Sequence, residues 1–230
     1  MFPEISDFLL ENYFISIYGI TLVLSIIRYR RYFDTVLKYF PIIIAYTLFN
    51  EILGGMIKYF DEFQVVFIDK YSYYNVILFN LYSLIFFLFF YYVYWNSIQN
   101  ISHKNIVKIG AVIFLSIYIL SLFFQNPMLM HLYYAYTIGA IVLILCVLFY
   151  FKKIFSEKEK PYKHHQNLLF WVSLGLLVFY VFDPALMIIG LKNDYIYIKY
   201  NLHTLLYILI VAMYTFFIIG FLLGKRRAFR

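Results

Sequence analysis

Charge is what this chain has least of. Asp, Glu, Lys and Arg together make up 13% of its residues, about half the share of a soluble domain. Without stretches of solvated surface there is no room for a soluble catalytic or DNA-binding domain. A single cysteine, Cys146, excludes an intramolecular disulfide and, lying in an apolar run, reads as a small packing residue. No low-complexity segment or linker divides the sequence, so residues 1–230 read as one domain. The opening MFPEISDFLL has no Lys or Arg and no small-residue cleavage site. It reads as the approach to a first span rather than a removable signal. HExxH, GxSxG and P-loop patterns are absent, which removes the motif-based grounds for an enzyme. No Lys occurs between Lys199 and Lys225, so the last apolar run offers no amine for a retinal Schiff base.

What the chain does have is apolar and aromatic mass, 64% hydrophobic and 24% Phe, Tyr and Trp. A bilayer accommodates that surface; water does not. Runs of about 20 apolar residues match the hydrocarbon thickness, and seven are readable: 8–27, 40–59, 74–97, 106–124, 132–151, 168–189 and 200–224. All are expected as helices, because an isolated strand leaves its backbone unpaired in lipid. The expected fold is therefore all-α, a polytopic bundle of seven transmembrane helices.

The few charges are sorted by position. Fifteen of the 19 Lys and Arg fall in four segments: Arg28 to Lys38, Lys104 with Lys108, Lys152 to Lys163, and Lys225 to Arg230. The opposite loops hold only Lys58, Lys70, Lys192 and Lys199, and the amino-terminal segment carries Glu4, Asp7 and Glu11. The positive-inside rule then predicts the amino terminus outside and the carboxy terminus inside, in the cell's inner (plasma) membrane. Basic segments flanking spans meet anionic headgroups, so the net charge of +7 implies the lipid bilayer as partner and no nucleic acid. Arg30, Arg31, Lys152 and Lys153 are the candidates for docking a cytoplasmic or membrane signalling partner.

Two of the twelve carboxylates escape the sorting. Glu51 falls near the middle of span 2 in LFNEILGG, next to Asn50, and Asp183 falls in span 6 beside Pro184, which is expected to kink that helix. An acid at a helix centre costs about 2.5–3.5 kcal/mol on insertion scales and so faces a partner or water. Gly54, Gly55 and Lys58 share the Glu51 face, and the glycines leave it open. Asn80 in span 3 and His203 in span 7 lie at similar depth on the outer side. Together Glu51, Asp183, His203, Asn80 and Asn50 are the predicted ligand-binding set of an outward polar pocket, with Glu51 as a proton- or cation-responsive group. His131 reads as an interface residue, and Asn75 and Asn201 as helix caps. Tyr71, Tyr73, Tyr74, Tyr133, Tyr134, Tyr136, Tyr195, Tyr197 and Tyr200 read mainly as an interfacial belt. The adjacent His164 and His165 lack the further ligands of a zinc site, and no metal or cofactor is expected.

Glu51 with Gly54, Asn75, Asn80 and Tyr82, and the run LLFWVSLGLLVFY with Phe170, Trp171, Gly175 and Tyr180, resemble small, little-characterised seven-span bacterial membrane proteins. That resemblance implies a signalling-associated membrane protein. Many members carry a second acid in span 3, where this chain has Leu84-Ile85-Phe86. The expected function is a sensor or receptor-like component taking a small molecule or ion from the outer side. Spans 1–3 and 5–7 also look like the 3+1+3 plan of the small sugar transporters built from triple-helix halves. A pore-forming oligomer ranks below these. So does a zinc hydrolase related to ceramidases, assembled from His131, His203, Asp183 and Glu51.

Overall fold

The computed structural model describes residues 14–59, 76–156 and 164–226. Glu4, Asp7, Glu11, Lys70, Tyr71, Tyr73, Tyr74, Asn75, Lys158, Lys160, Lys163, Arg227, Arg230 and the side chain of Lys58 lie outside them. Among the described residues all regular structure is helical. The elements are α1 (Phe14–Ile27), α2 (Phe40–Tyr59), α3 (Val76–Ser97), α4 (Ile101–Phe124), α5 (Tyr133–Ser156), α6 (Leu168–Lys192), a short α7 (Asp194–Lys199) and α8 (Leu202–Leu223), with one-turn 3-10 helices at Tyr29–Arg31 and His164–Gln166. Six of these, α2 to α6 and α8, are long and apolar enough to cross a membrane. The described part of α1 is equally apolar but rises only about 21 Å, against roughly 30 Å of hydrocarbon. Large apolar side chains such as Ile26, Ile42, Ile109, Phe123 and Ile208 stand exposed, a surface stable against lipid rather than water.

Helix ends differ from the sequence reading where an asparagine caps. Asn100 accepts from His103 N at 3.2 Å, so α4 begins at Ile101, five residues before the apolar run. Asn167 and Asn193 likewise accept from Leu169 N and Ile196 N. Asn201 takes the N-cap position of α8 without making a side-chain bond; it instead supplies a left-handed turn, φ 48°, which asparagine tolerates better than most residues. Helix α6 continues through the Pro184 position as one element.

The helices close into a ring in the order α1, α2, α3, α5, α6, α8 and back to α1, with α4 outside it against α5 and α3. Only 17% of the apolar window of α4 is buried, against 50% for α6, which makes α4 the peripheral helix. The closest approach is between α6 and α8: a Cβ at Gly175 would sit 2.8 Å from the Met213 carbonyl. Small residues permit such backbone contact in lipid, where association depends on packing rather than on hydrophobicity.

Inside the ring the core is aromatic. Phe40 meets Phe90, Phe217 and Phe221, while Phe87 meets Phe114, Tyr136 and Tyr180. Two buried tyrosine hydroxyls bond across helices: Tyr94 with Ser173 at 2.8 Å and Tyr91 to the Gly139 carbonyl at 2.7 Å.

The basic segments gather at one end of the bundle and tie it together. Arg31 donates to the Gly224 carbonyl at 3.0 Å, and Lys153 to the Ser97 carbonyl at 2.8 Å. Each places a cation at a helix C-terminus, where the dipole favours it. Arg226 pairs with Asp34 at 3.2 Å and lies over the Phe33 ring. Of the four docking candidates, Arg31 and Lys153 thus serve the fold, while Arg30 and Lys152 are exposed.

Candidate functional site

At the opposite end the ring frames a half-open cavity of about 340 Å³, with Glu51 and Asp183 both on its wall. Local structure explains how each acid arrives there. On α2, Thr47 bonds back to the Ile43 carbonyl at 2.9 Å and meets the Tyr82 hydroxyl at 2.8 Å. That contact fixes the rotation of α2 against α3, and Glu51, one turn further on, falls on the same face. On α6, Phe179, Asp183, Leu186 and Gly190 form a stripe at helical spacing, the pattern that lines one face of a helix. Leu206 and Ile210 of α8 and Phe79, Tyr82 and Ser83 of α3 complete most of the wall.

The two acids have different surroundings. Asp183 is 7% exposed and accepts at Oδ2 a hydrogen bond from the Tyr136 hydroxyl of α5. Tyr180 and Tyr197 lie within electrostatic reach of it. Pro184 has no N–H, so the Tyr180 carbonyl one turn back loses its helical donor beside this acid. Glu51 is half-buried, near the hydroxyls of Tyr18, Tyr82 and Tyr214. Among the described residues none donates a hydrogen bond to Glu51 or pairs with it. A tyrosine thus holds Asp183, tyrosine hydroxyls only surround Glu51, and no described Lys or Arg lines the cavity.

Two groups outside the spans reach the same wall. His131, in the α4–α5 connection, packs against the Phe79 ring at 6.1 Å, and burial lowers its pKa, so it adds no positive charge at neutral pH. Tyr197 of α7 lies against Gly190, where a Cβ would come within 3.2 Å of its ring; glycine lets α7 fold over the cavity. Burial and the Asp183 charge raise the Tyr197 hydroxyl.

Of the ligand-binding residues expected from sequence, the cavity brings together Glu51 and Asp183 and not the other three. His203 is exposed and rests its ring on Tyr207 at 4.1 Å. Asn80 is buried but committed: Nδ2 donates to the Pro127 and Met130 carbonyls at 3.0 and 3.2 Å, and Oδ1 accepts from Leu132 N at 3.0 Å. It holds the α4–α5 connection that carries His131. Asn50 is buried off the wall beside Tyr46, and among the described residues its amide nitrogen has no hydrogen-bond partner by geometry. Gly54 and Gly55 are half-buried and off the wall as well.

His131, Tyr136 and Tyr197 join the acids, where the sequence had suggested an interface residue and belt tyrosines. Their only sequence signal was proximity to the outer ends of the spans, which many other aromatics share. With His203 apart from the acids, the four residues of the hydrolase reading are not assembled. Among the described residues no three His, Cys, Asp or Glu side chains converge as a metal site. Comparison with protein-family models, curated proteins and solved structures gives no match for the chain.

Proposed function

We propose that the protein is a seven-span inner-membrane protein, amino terminus outside and carboxy terminus inside, that holds a small ligand between Glu51 and Asp183 and acts as a sensor or receptor-like signalling component. The observation that carries the reading is the shared cavity: two acids from opposite sides of the ring line one space without a described counter-cation. Intramembrane acids are costly, which makes a ligand or ion site the default reading of such a pair. At 340 Å³ the space is at the small end of ligand cavities, about 300–1,000 Å³. The resemblance to small seven-span signalling-associated proteins agrees with a chain that is nearly all membrane. Arg30 and Lys152, exposed at the basic end, are where a cytoplasmic partner would read the ligand's presence.

Orientation is tested by single-cysteine labelling, for which the native Cys146 is suitably silent, being 1% exposed. Asn201→Cys should react with a membrane-impermeant maleimide in intact cells, and Arg30→Cys only after permeabilisation; the reverse pattern overturns the topology. Occupancy is tested by native mass spectrometry of protein released from detergent. Wild type should retain a small-molecule mass that Ile210→Trp, which fills the cavity, excludes. A wild-type protein that arrives empty, and whose melting no small molecule raises, removes the ligand reading.

Transport is the second reading, favoured by the peripheral α4. With α4 outside the ring, α1–α3 and α5, α6 and α8 remain as two triplets, as in a 3+1+3 carrier. Binding without uptake into proteoliposomes supports sensing; uptake that Glu51→Gln abolishes supports transport.

A further inference from the structure

We propose that the ligand class of this cavity is an organic cation, an amine or quaternary ammonium compound; this rests on the cavity being a ligand site. The argument begins with charge. Two carboxylates face one space, and none of the described residues lining it is Lys or Arg. In a low-dielectric surrounding a mobile positive charge is attracted to such a pair far more strongly than in water. An anion would meet repulsion from both sides, and a neutral ligand would leave the acids to be neutralised by protons instead of by the ligand.

The rest of the wall says which kind of cation. Phe79, Tyr82, Tyr136, Phe179 and Tyr197 border the space along with Leu186. Aromatic faces attract ammonium groups, and the attraction grows when the site is desolvated. Hard metal ions need six to eight oxygens for Ca²⁺ or a near-ideal octahedron for Mg²⁺, and the described acids form no such cluster. A cation clothed in alkyl groups carries its own apolar surface to rings and leucines and needs no shell of oxygens. The division of labour is then clear: the carboxylates neutralise charge, and the rings replace the hydration shell.

The test uses the purified full chain in detergent with three cationic probes: choline, tetramethylammonium and spermidine. Each is compared by calorimetry and melting with 3,3-dimethylbutan-1-ol, the uncharged isostere of choline, at constant ionic strength. At least one cation should bind ten times or more tighter than the alcohol, and Glu51→Gln and Asp183→Asn should each weaken it tenfold without weakening the alcohol. The wild-type comparison stands even if a variant fails to fold. Binding of the alcohol as tightly as the best of the three cations overturns the inference while leaving the ligand cavity intact. So does a retained neutral mass with no response to any of the three cations. No binding by any probe, with Ile210→Trp indistinguishable from wild type, overturns both the inference and the ligand reading on which it rests.

Discussion

Replacing Phe87 by Ala should cost about 3–5 kcal/mol of stability, the range for emptying a buried aromatic site. Phe87 is fully buried in α3, and its ring contacts Tyr91, Phe114, Tyr136 and Tyr180, drawn from four helices. In lipid the loss is one of dispersion contacts rather than of water release, and a void forfeits those contacts outright. The Phe87 ring also closes against Gly139, where a Cβ would come within 2.8 Å of it, so that position of α5 offers no side chain to fill the gap. The second consequence reaches the cavity. Tyr136 and Tyr180 both lean on Phe87, and Tyr136 holds Asp183, so the variant should weaken cavity ligands as well as lower stability. Unfolding in mixed micelles, followed by circular dichroism, measures the first effect. A loss below 1 kcal/mol would mean that this aromatic cluster is not the packed centre of the ring.

Asn80→Ala should cost about 2–4 kcal/mol: the buried Leu132 amide left unsatisfied carries a desolvation penalty of about 1–3 kcal/mol, and two part-buried carbonyls add to it. Two carbonyls, of Pro127 and Met130, lose their donor, and the Leu132 amide loses its acceptor. The α4–α5 connection should loosen, and hydrogen exchange at Leu132 should accelerate by at least tenfold. Ligand affinity should fall with it, since His131 of that connection lines the cavity. Exchange at Leu132 separates holding the loop from touching the ligand, and Asn80→Asp repeats the test with a second variant. It keeps the acceptor for Leu132 but turns a carboxylate on two carbonyls, so it should loosen the loop too. A direct ligand role for Asn80 would instead lower affinity while leaving exchange at Leu132 unchanged.

Much of the bundle was legible because lipid imposes one strong rule. Apolar runs of the right length must be helical, and six of the expected spans are present as such helices. Their ends were less legible, since they depend on capping. Asn100 starts α4 within a polar stretch, whereas Asn201, placed where a cap was expected, makes none. Glu51 and Asp183 stood out as acids in apolar company, a signal of one residue against its neighbours. Asn80 gave the same kind of signal with a different outcome: an asparagine in a span is costly whether its partners are a ligand or the chain itself, and the sequence cannot distinguish these. His203 was placed by depth alone, and depth does not say which way a helix face turns.

The sequence by itself determined that this is a helical membrane protein, because composition and run length are local properties that the bilayer reads segment by segment. It also singled out the two acids, because the cost of a charge in an apolar run needs no knowledge of the neighbours. Only the tertiary structure decided that the acids share one cavity, that Tyr136 holds Asp183, and that α4 stands outside the ring. Those facts depend on the rotation of each helix about its axis. Rotation is set by contacts between residues distant in sequence, such as Thr47 with Tyr82 and Tyr136 with Asp183. No periodicity reports it here, because these helices are apolar on every side.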